Sequence, residues 1–503
     1  MDPKTAYDEL AKLTREAALL GSVGELLEWD QHSVMPPAGA GHRSDQISLL
    51  AGMRHKRFTD PRVGELLSAL EGSRLSLGDT PEAADIKELR CAYDKAVKLP
   101  GRLVEELAKA ASLAQEEWVA ARRESDFSKF LPWLEKILKL TREKAKAYGL
   151  PGEPYDALLD DFEPGAKSAE VSAVFSALRE DLIKLLDKVR GSSRQPDASA
   201  VEGDFDPVVQ KLFAESVIGA MGFDFDSGRL DTTAHPFCVG IGAGDTRILT
   251  RYNPKRLPNG LLAAMHEAGH ALYEMGLDKQ NRFGLPSAEA VSLGIHESQS
   301  RIWENQVGRS RAFWEHFFPQ AQRLFRSSLG KVKLDDFYGA INEVKPSYIR
   351  VEANEAYYNL HILLRFELER ALLSGDLKPA EVPVEWNTRF KKYFGVAVDK
   401  DSNGCLQDVH WAAGLIGYFP TYTLGNLYAA QFFAKANSEM PDLAKKISSG
   451  DLFGLRGWLK ERIHRHGKRY RAGVLCHRVT GGPLSHKPLI EYMSAKYGEI
   501  YGF

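Results

Sequence analysis

Two histidines four residues apart are the strongest chemical feature of this sequence. The segment MHEAGHALYEMG contains His266, Glu267 and His270 in the pattern His-Glu-x-x-His. Residues i and i+4 of a helix lie on the same face, so both imidazoles can bind one metal ion. Glu267 stands beside them and can accept a proton from a metal-bound water, whose pKa a zinc ion lowers to about 7. The pattern therefore predicts a hydrolytic metal site.

Neutral imidazoles and a carboxylate suit zinc, with Co²⁺ and Mn²⁺ as alternative occupants. A catalytic zinc needs a third protein ligand and an open fourth position. The next segment, SAEAVSLGIHESQSRIWEN, reads as a second helix and offers four candidates: Glu289, His296, Glu297 and Glu304. His296 fits the role of a metal ligand or of a hydrogen-bond donor to one. Glu289 and Glu304 also fit the role of solvated or salt-bridged charges on a helix. The spacing alone does not select among them.

The segments around these residues are mostly helical in pattern. The metal segment NGLLAAMHEAGHALYEMG carries an apolar stripe, which predicts a buried helix. Similar three- and four-residue spacing recurs along the chain. The clearest strand candidates lie between about 229 and 251, on either side of Gly-Ala-Gly-Asp, which is typical of a hairpin turn. We therefore expect a mainly α fold with one small β-sheet near the metal site.

The length of 503 residues allows two to four domains. Residues 191–204 have the composition of a linker, but helices of the same character resume after them, and no internal repeat is found. We expect one catalytic domain over 1–503. Within it, residues 1–190 form a helical N-terminal lobe or lid, and residues 191–503 form the zinc-binding part.

Composition limits the partners and the compartment. The 66 Lys and Arg residues nearly balance the 68 Asp and Glu residues, so nucleic acid is not expected as a partner. Even the basic segment 460–471 fits a solvated helix face. No apolar run is long enough to cross a bilayer, and no signal peptide is apparent. The four scattered cysteines exclude a disulfide scaffold and fit a reducing compartment. We expect a cytoplasmic protein without a membrane partner.

Further motifs extend over nearly the whole chain. They comprise the opening with Trp29, His-Pro-Phe at 235–237, His-Glu-Ser-Gln at 296–299, Gly-x-x-Gln-Asp-x-His-Trp at 404–411, and FPTYTLGNLYAAQ at 419–431. Together with the metal helix, these motifs make the sequence resemble the carboxypeptidase Taq family of metallocarboxypeptidases.

The resemblance implies a large helical metallopeptidase fold with a narrow, deep active-site groove. It implies Glu297 as the third zinc ligand and a homodimer as the assembly. The expected activity is zinc-dependent release of C-terminal residues from peptides with a free C-terminus, with broad specificity.

Recognition of a C-terminal carboxylate requires a positioned cation, and an arginine can bind it through two parallel hydrogen bonds. The candidates are Arg247, Arg251, Lys345 and Arg350. Each also fits a structural salt bridge. The resemblance favours Arg350, while Arg247 is expected to support the substrate site from the small sheet.

The remaining candidate residues are expected to act in the same zinc-dependent hydrolysis. Glu267 is the expected general base, and His410 and Tyr422 are candidate donors to the oxyanion. For both, a structural role in the core is the alternative. His235 is expected to contact the substrate or to shape its pocket, and Asp408 to orient a histidine.

Two positions depart from the family pattern. Leu249 stands where a threonine is expected in Asp-x-Arg-x-Thr, and Asn354 stands where an aspartate is expected in Ile-Arg-x-x-Ala-Asp. Both changes bear on the substrate site more than on metal binding.

Two other functions compete with the carboxypeptidase. One is a zinc oligoendopeptidase of similar helical fold, which would not require a free C-terminus. The other is a non-catalytic peptide-binding protein with a structural metal. Glu267 argues against the latter, because a structural site needs no general base.

Overall fold

The computed structural model describes residues 2–233 and 235–503. Helices hold 71% of the chain, and a three-stranded sheet is the β-structure found within these ranges. The predicted mainly α class with one small sheet is therefore confirmed. In the part of the chain described, no helix combines the length and the hydropathy that a membrane span requires.

The helices are numbered α1 to α22 in chain order. The first eleven are α1 Pro3–Ser33, α2 Ala40–Phe58, α3 Pro61–Leu70, α4 Pro81–Lys98, α5 Gly101–Glu124, α6 Phe127–Tyr148, α7 Pro154–Leu159, α8 Ser168–Gly191, α9 Pro207–Ala220, α10 Leu257–Gly276 and α11 Lys279–Arg282. The others are α12 Leu293–Arg301, α13 Arg311–Leu324, α14 Arg326–Leu329, α15 Leu334–Ile341, α16 Glu355–Ser374, α17 Val382–Phe394, α18 Pro420–Glu439, α19 Leu443–Ser448, α20 Phe453–Arg462, α21 Ala472–Thr480 and α22 Lys487–Tyr501.

The starts of three helices follow directly from the sequence. Asp2, Asp60 and Asp206 each precede a proline, and each accepts a hydrogen bond from a backbone N–H in the first turn of α1, α3 or α9. The aspartate satisfies an N–H that the helix leaves free, and proline suits the first helical position because its missing N–H is not needed there.

The chain forms two compact units that interleave in sequence. The first comprises Met1–Ala96, Asp197–Ile341 and Ala429–Pro483, and the second comprises Val97–Pro196, Asn342–Tyr428 and Leu484–Phe503. The first unit carries the sheet, α10 and α12, and the second carries α16. The single catalytic domain with an N-terminal lobe at 1–190 and a zinc-binding part at 191–503 stays a prediction.

The sheet consists of β1 Gly228–Thr232, β2 Phe237–Gly242 and β3 Asp245–Thr250, in the order β1-β3-β2. β2 and β3 form the predicted antiparallel hairpin, and β1 pairs with β3 in parallel. The segment 229–242, which resembled one strand in the sequence, is thus two strands. The break falls at Pro236, which has no N–H to donate to a ladder.

The two faces of the sheet pack against different helices of the first unit. Val239 and Leu249 form a buried cluster with Trp29 of α1. Thr250, the next residue along β3, points to the opposite face, where its hydroxyl donates to the backbone oxygen of Gly260 in α10 at 3.2 Å. The sheet therefore lies against α10, the helix of the predicted metal site.

Candidate metal centre

Helix α10 is buried on most of its circumference. Leu261, Met265, Ala268 and Leu272 are all at most 3% exposed. A helix that is apolar on nearly all sides packs in the interior rather than at the surface. The metal-site helix of the first unit is therefore fixed by its own packing.

A glycine lets a second helix approach α10 closely. A Cβ atom at Gly269 would lie 2.6 Å from the backbone oxygen of Gln299 and from Cα of Ser300. These residues belong to α12, which begins after Ser292, whose hydroxyl accepts a hydrogen bond from the backbone N–H of Ile295 at 3.1 Å. Gly269 thus brings the backbone of α12 beside the histidine pair.

The close approach places Glu297 opposite both histidines. Its Oε2 lies 3.6 Å from Nε2 of His266 and 3.5 Å from Nε2 of His270. The three candidate ligand atoms all lie within 4.8 Å of one another. Two ligand atoms that are each about 2.1 Å from a tetrahedral zinc ion are roughly 3.4 Å apart. The two distances to Glu297 therefore match those expected between ligands of one metal ion.

Hydrogen bonds on the far side of the site hold two of these ligands. Nδ1 of His266 lies 2.8 Å from Oε2 of Glu304, so its Nε2 is left for the metal. Arg301 donates to Glu297 Oε1 at 2.6 Å and to Glu304 Oε2 at 3.0 Å. Its guanidinium therefore fixes both carboxylates in place.

The electrostatics of the site follow from burial and from these pairs. Burial raises the pKa of a carboxyl group, but the charges of Arg301 and His266 outweigh it at Glu297, whose pKa lies well below its usual range. At Glu304 the charge of Arg301 likewise outweighs burial and lowers the pKa to about 2. Burial lowers the pKa of His270 to about 3, so this ring is neutral. Ionised carboxylates and a neutral imidazole are the forms that bind metals.

Glu267 differs from the other carboxylates of the site. It is 6% exposed. Burial raises its pKa to about 7, opposed by His266 and reinforced by the charges of Glu297 and Glu304. A carboxyl group with a pKa near the working pH can both accept and return a proton. This is the property expected of a general base.

The structure separates the four candidates for the third ligand. Glu297 joins the two histidines, whereas Glu304 binds the outer nitrogen of His266. His296 lies outside the ligand set, with its Nδ1 2.5 Å from Nδ1 of His270. Glu289 accepts a hydrogen bond from Lys468 at 2.6 Å.

Arg350, in the second unit, is buried in a pair of arginines that share one carboxylate. Its Nε donates to Asp408 Oδ1 at 3.0 Å, and its Nη1 donates to the hydroxyl of Tyr358 at 3.0 Å. Arg365 donates to the other oxygen of Asp408 at 2.7 Å. The guanidinium of Arg350 also lies over the ring of Tyr422, 4.8 Å from its centroid.

His410 and Tyr422 are neighbours in the same unit. Nε2 of His410 lies 3.2 Å from the hydroxyl of Tyr422, and the imidazole stacks on Phe419 with the ring centroids 4.4 Å apart. Burial lowers the pKa of His410 to about 4, so the ring is neutral near pH 7. Asp408 lies 4.0 Å from His410 and binds Arg350 and Arg365 more closely.

The two remaining predicted contacts lie near the sheet of the first unit. Arg247 pairs with Asp245 at 2.9 Å, and its guanidinium lies 4.3 Å from the centroid of the Trp29 ring. His235 is exposed, just before β2. The structure thus brings together the three candidate metal ligands and Glu267 in the first unit, and Arg350, His410 and Tyr422 in the second.

Both departures from the family pattern have local explanations. Leu249 is fully buried against Trp29, where an apolar side chain fills the core. Asn354 caps α16, since its Oδ1 accepts from the backbone N–H of Tyr357 at 3.1 Å. Its Nδ2 donates to the backbone oxygen of Lys345 at 2.5 Å, a bond that an ionised aspartate could not donate.

Sequence reasoning missed several residues that hold these groups. Arg365 follows no pattern that marks it, because its partner Asp408 lies 43 positions further along the chain. Arg301 did carry a signal, since it lies four residues after Glu297 and three before Glu304. Glu274 did carry a signal, since it follows His270 by four residues and therefore lies on the same face of α10 as the histidines.

The chain is similar to known metallopeptidases along its whole length. The family described as carboxypeptidase Taq (M32) metallopeptidase matches residues 9–497. The chain is 48% identical to thermostable carboxypeptidase 1 of Thermus thermophilus and 36% identical to carboxypeptidase 1 of Bacillus subtilis, each match covering 100% of both proteins. It is also similar to the crystal structure of the M32 carboxypeptidase from Deinococcus radiodurans, with a TM-score of 0.96, 39% identity, and coverage of 99% of this chain and 100% of that one.

These matches confirm the resemblance on which the carboxypeptidase prediction rests. The relatives differ from the chain at half or more of their positions, yet the fold and the length agree throughout. The chain therefore belongs to the carboxypeptidase Taq family of metallopeptidases, and it is a metallocarboxypeptidase, a peptide hydrolase.

Proposed function

We propose that the metal is zinc and that His266, His270 and Glu297 bind it. The observation that carries this proposal is the convergence of two Nε2 atoms and one carboxylate oxygen at the spacing of tetrahedral ligands. Two imidazoles and one carboxylate are a ligand set of catalytic zinc that leaves a fourth position open. Co²⁺ and Mn²⁺ suit the same ligands and are expected substitutes.

Glu267 is the general base of the proposed mechanism. Bound zinc supplies a water of lowered pKa and polarises the scissile carbonyl. Glu267 takes the proton from that water and later delivers it to the leaving amine. Its burial and its pKa of about 7 in the structure suit a group that must hold the proton between the two steps.

Arg350 is proposed to bind the terminal carboxylate of the peptide. Nε and Nη2 of its guanidinium face Asp408 and Nη1 donates to Tyr358, and these contacts hold the side chain in one orientation. A guanidinium has five N–H groups, so further N–H groups remain for a substrate carboxylate beyond these contacts. An arginine that is already oriented loses less side-chain entropy when it binds.

Four further residues are proposed to act on the substrate. The neutral ring of His410 and the hydroxyl of Tyr422 are our candidates for donors to the oxyanion, since both carry an N–H or O–H group and contact each other. His235 is proposed to contact the substrate from its exposed position before β2. Arg247 is proposed to support that region through Asp245 and Trp29.

A zinc oligoendopeptidase and a binding protein with a structural metal are the weaker alternatives. The family is one of carboxypeptidases, which does not favour the first. A buried glutamate beside the metal ligands, with a pKa near 7, has no evident use in the second. Cleavage of peptides with blocked C-termini would support the first alternative, and metal binding without hydrolysis would support the second.

We infer a cytoplasmic homodimer of broad specificity that acts on peptides with a free C-terminus and does not bind nucleic acid. The scattered cysteines fit a reducing compartment. The basic segment 460–471 has acidic partners, including Asp79 for Arg469 and Glu88 for Arg471. Sedimentation of a single 56.0-kDa species at micromolar concentration would contradict the dimer.

A pair of peptides that differ only at the C-terminus tests the substrate assignment. We expect the enzyme to shorten the free acid and to leave the amide intact. In Arg350→Lys, kcat/KM for the free acid should fall about 10- to 100-fold, because lysine keeps the charge but loses the planar fork. Rates are measured by mass spectrometry of the shortened products. The unfolding midpoint of the variant is measured as a control, because Arg350 also pairs with Asp408.

Equal rates on the amide and the free acid would contradict carboxylate recognition. Unchanged kcat/KM in a folded Arg350→Lys variant would instead assign recognition to another cation.

A further inference from the structure

The outward nitrogens of the two metal histidines have different partners. His266 meets a carboxylate directly, because its Nδ1 lies 2.8 Å from Glu304. His270 meets another histidine: its Nδ1 lies 2.5 Å from Nδ1 of His296 and 3.1 Å from the backbone oxygen of His296. On its other side, Nε2 of His296 lies 2.8 Å from Oε1 of Glu274. A carboxylate thus reaches His270 through an intervening imidazole.

The positions of the protons in this series of hydrogen bonds follow from the groups at its two ends, Glu274 and His270. Glu274 as a carboxylate only accepts, so Nε2 of His296 carries the proton that is shared with it. The backbone oxygen of His296 likewise only accepts, so Nδ1 of His270 carries the proton that points toward that oxygen and toward Nδ1 of His296. This assignment leaves Nε2 of His270 unprotonated, and that atom faces Glu297 at 3.5 Å. It is the tautomer that metal binding requires.

The carboxylate of Glu274, at the end of this series of hydrogen bonds, is itself held in place. The other oxygen of Glu274 accepts a hydrogen bond from Lys279, and the two side chains are 15% and 12% exposed. Strand β2 passes directly over this pair. A Cβ atom at Gly240 would lie 2.6 Å from Oε2 of Glu274 and 2.8 Å from Nζ of Lys279. A glycine at this position therefore makes room for the pair.

The ring of His296 is also fixed from a third side. Its centroid lies 5.4 Å from that of the Tyr273 ring, and Tyr273 is fully buried. The hydroxyl of Tyr273 accepts a hydrogen bond from the backbone N–H of Val291, just before α12. His296 is thus confined by α10 while both of its nitrogens are engaged, and this is the arrangement expected of a group that orients another.

We propose that Glu274 and His296 are positioning residues that hold His270 in the orientation and tautomer that bind the metal. The proposal rests on the metal centre proposed above. It explains why the two histidines have different supports. Glu304 lies in the π-helical segment Ile302–Val307 directly after α12 and contacts His266, whereas Glu274 lies one turn beyond His270 on α10. Loss of such an outer partner typically weakens metal binding by about 10- to 100-fold.

The test compares zinc affinities of the full-length apoprotein by competition with a chromophoric chelator. We expect Glu274→Gln and His296→Phe each to raise the Kd for zinc about 10- to 100-fold. The ligand-field absorption of the Co²⁺-loaded proteins should change in both variants, because the orientation of His270 changes. Glu289→Gln is the matched control. It makes the same substitution at a carboxylate that binds a lysine but no histidine of the site, and its Kd should stay within about threefold of the wild type.

The possible results distinguish a failure of the positioning role from a failure of the proposed metal centre. If the wild-type protein takes up no zinc, the proposed metal centre is wrong. If the wild type binds one zinc and both variants bind it equally tightly with unchanged Co²⁺ spectra, the positioning role is overturned, even where the unfolding midpoint falls. If His296→Phe does not fold, Glu274→Gln decides alone, since it preserves the shape of the side chain.

Discussion

Glu267→Gln is expected to lower kcat by about 10²- to 10⁴-fold while zinc remains bound. Glutamine preserves the shape of the side chain but cannot accept and carry the proton of the attacking water. The three proposed metal ligands are untouched, so the metal content should equal that of the wild type. KM should change little, because Glu267 acts on the water and on the leaving amine rather than on substrate binding. Steady-state kinetics and metal analysis on the same preparation test both statements.

A matched control is Glu289→Gln, which should keep wild-type kinetics. Its carboxylate is half-exposed and pairs with Lys468. A Glu267→Gln enzyme with activity within tenfold of the wild type would show that another group accepts the proton. Loss of activity together with loss of zinc would show that Glu267 supports the metal rather than the chemistry.

Asp408→Asn is expected to destabilise the protein by about 3–5 kcal/mol. Asp408 is the carboxylate that faces both buried guanidiniums of its cluster, those of Arg350 and Arg365, which are 6% and 0% exposed. An asparagine leaves one amide oxygen for two buried positive charges, and breaking a buried ion pair costs far more than breaking an exposed one. Because Arg350 loses its orientation, KM for peptides should rise as well. Unfolding midpoints and kinetics measure the two effects.

The destabilisation caused by Asp408→Asn should depend on pH. Burial would raise the pKa of Asp408, but the charges of Arg365 and Arg350 outweigh it and hold the pKa well below its usual range. A carboxyl group with a lowered pKa in the folded state adds stability above its unfolded pKa of about 3.9 and loses it as the pH falls. The difference between wild type and Asp408→Asn should thus be complete at pH 7 and shrink below about pH 4.

The control for this variant is Asp204→Asn, which breaks an exposed pair with Lys255 and should hardly shift the unfolding midpoint. A destabilisation by Asp408→Asn no larger than that of the control would refute the structural role of the cluster. A difference that persists unchanged into acid would refute its electrostatic origin.

The sequence predicted the parts of the site that depend on local periodicity. Four-residue spacing on a helix is enough to pair His266 with His270, and the apolar stripe of the same segment predicts its burial. The position of Glu297 depends on the path of the segment between α10 and α12, which includes α11, and on the close approach of the two helices at Gly269. Residue spacing describes neither. Residue reasoning therefore left Glu297 among four candidates, and only the resemblance to a family selected it.

Long-range ion pairs were the least predictable part of the molecule. Arg365 meets Asp408 across 43 positions of the chain, and no periodic pattern relates the two. The small sheet was predicted as a hairpin, but its parallel strand β1 was not separated from β2, because the segment 229–242 was interpreted as one strand although Pro236 interrupts it. The fold class was predictable since helical periodicity runs through most of the sequence.

The most direct test of the account is the digestion of one peptide, as free acid and as amide, by the chelator-treated enzyme before and after addition of one equivalent of zinc. Mass spectrometry reports which residues are removed and from which end. We expect no cleavage without metal, sequential loss of C-terminal residues from the free acid after zinc is restored, and an intact amide throughout. Undiminished cleavage by a demonstrably metal-free enzyme, or internal cleavage of both peptides, would contradict it.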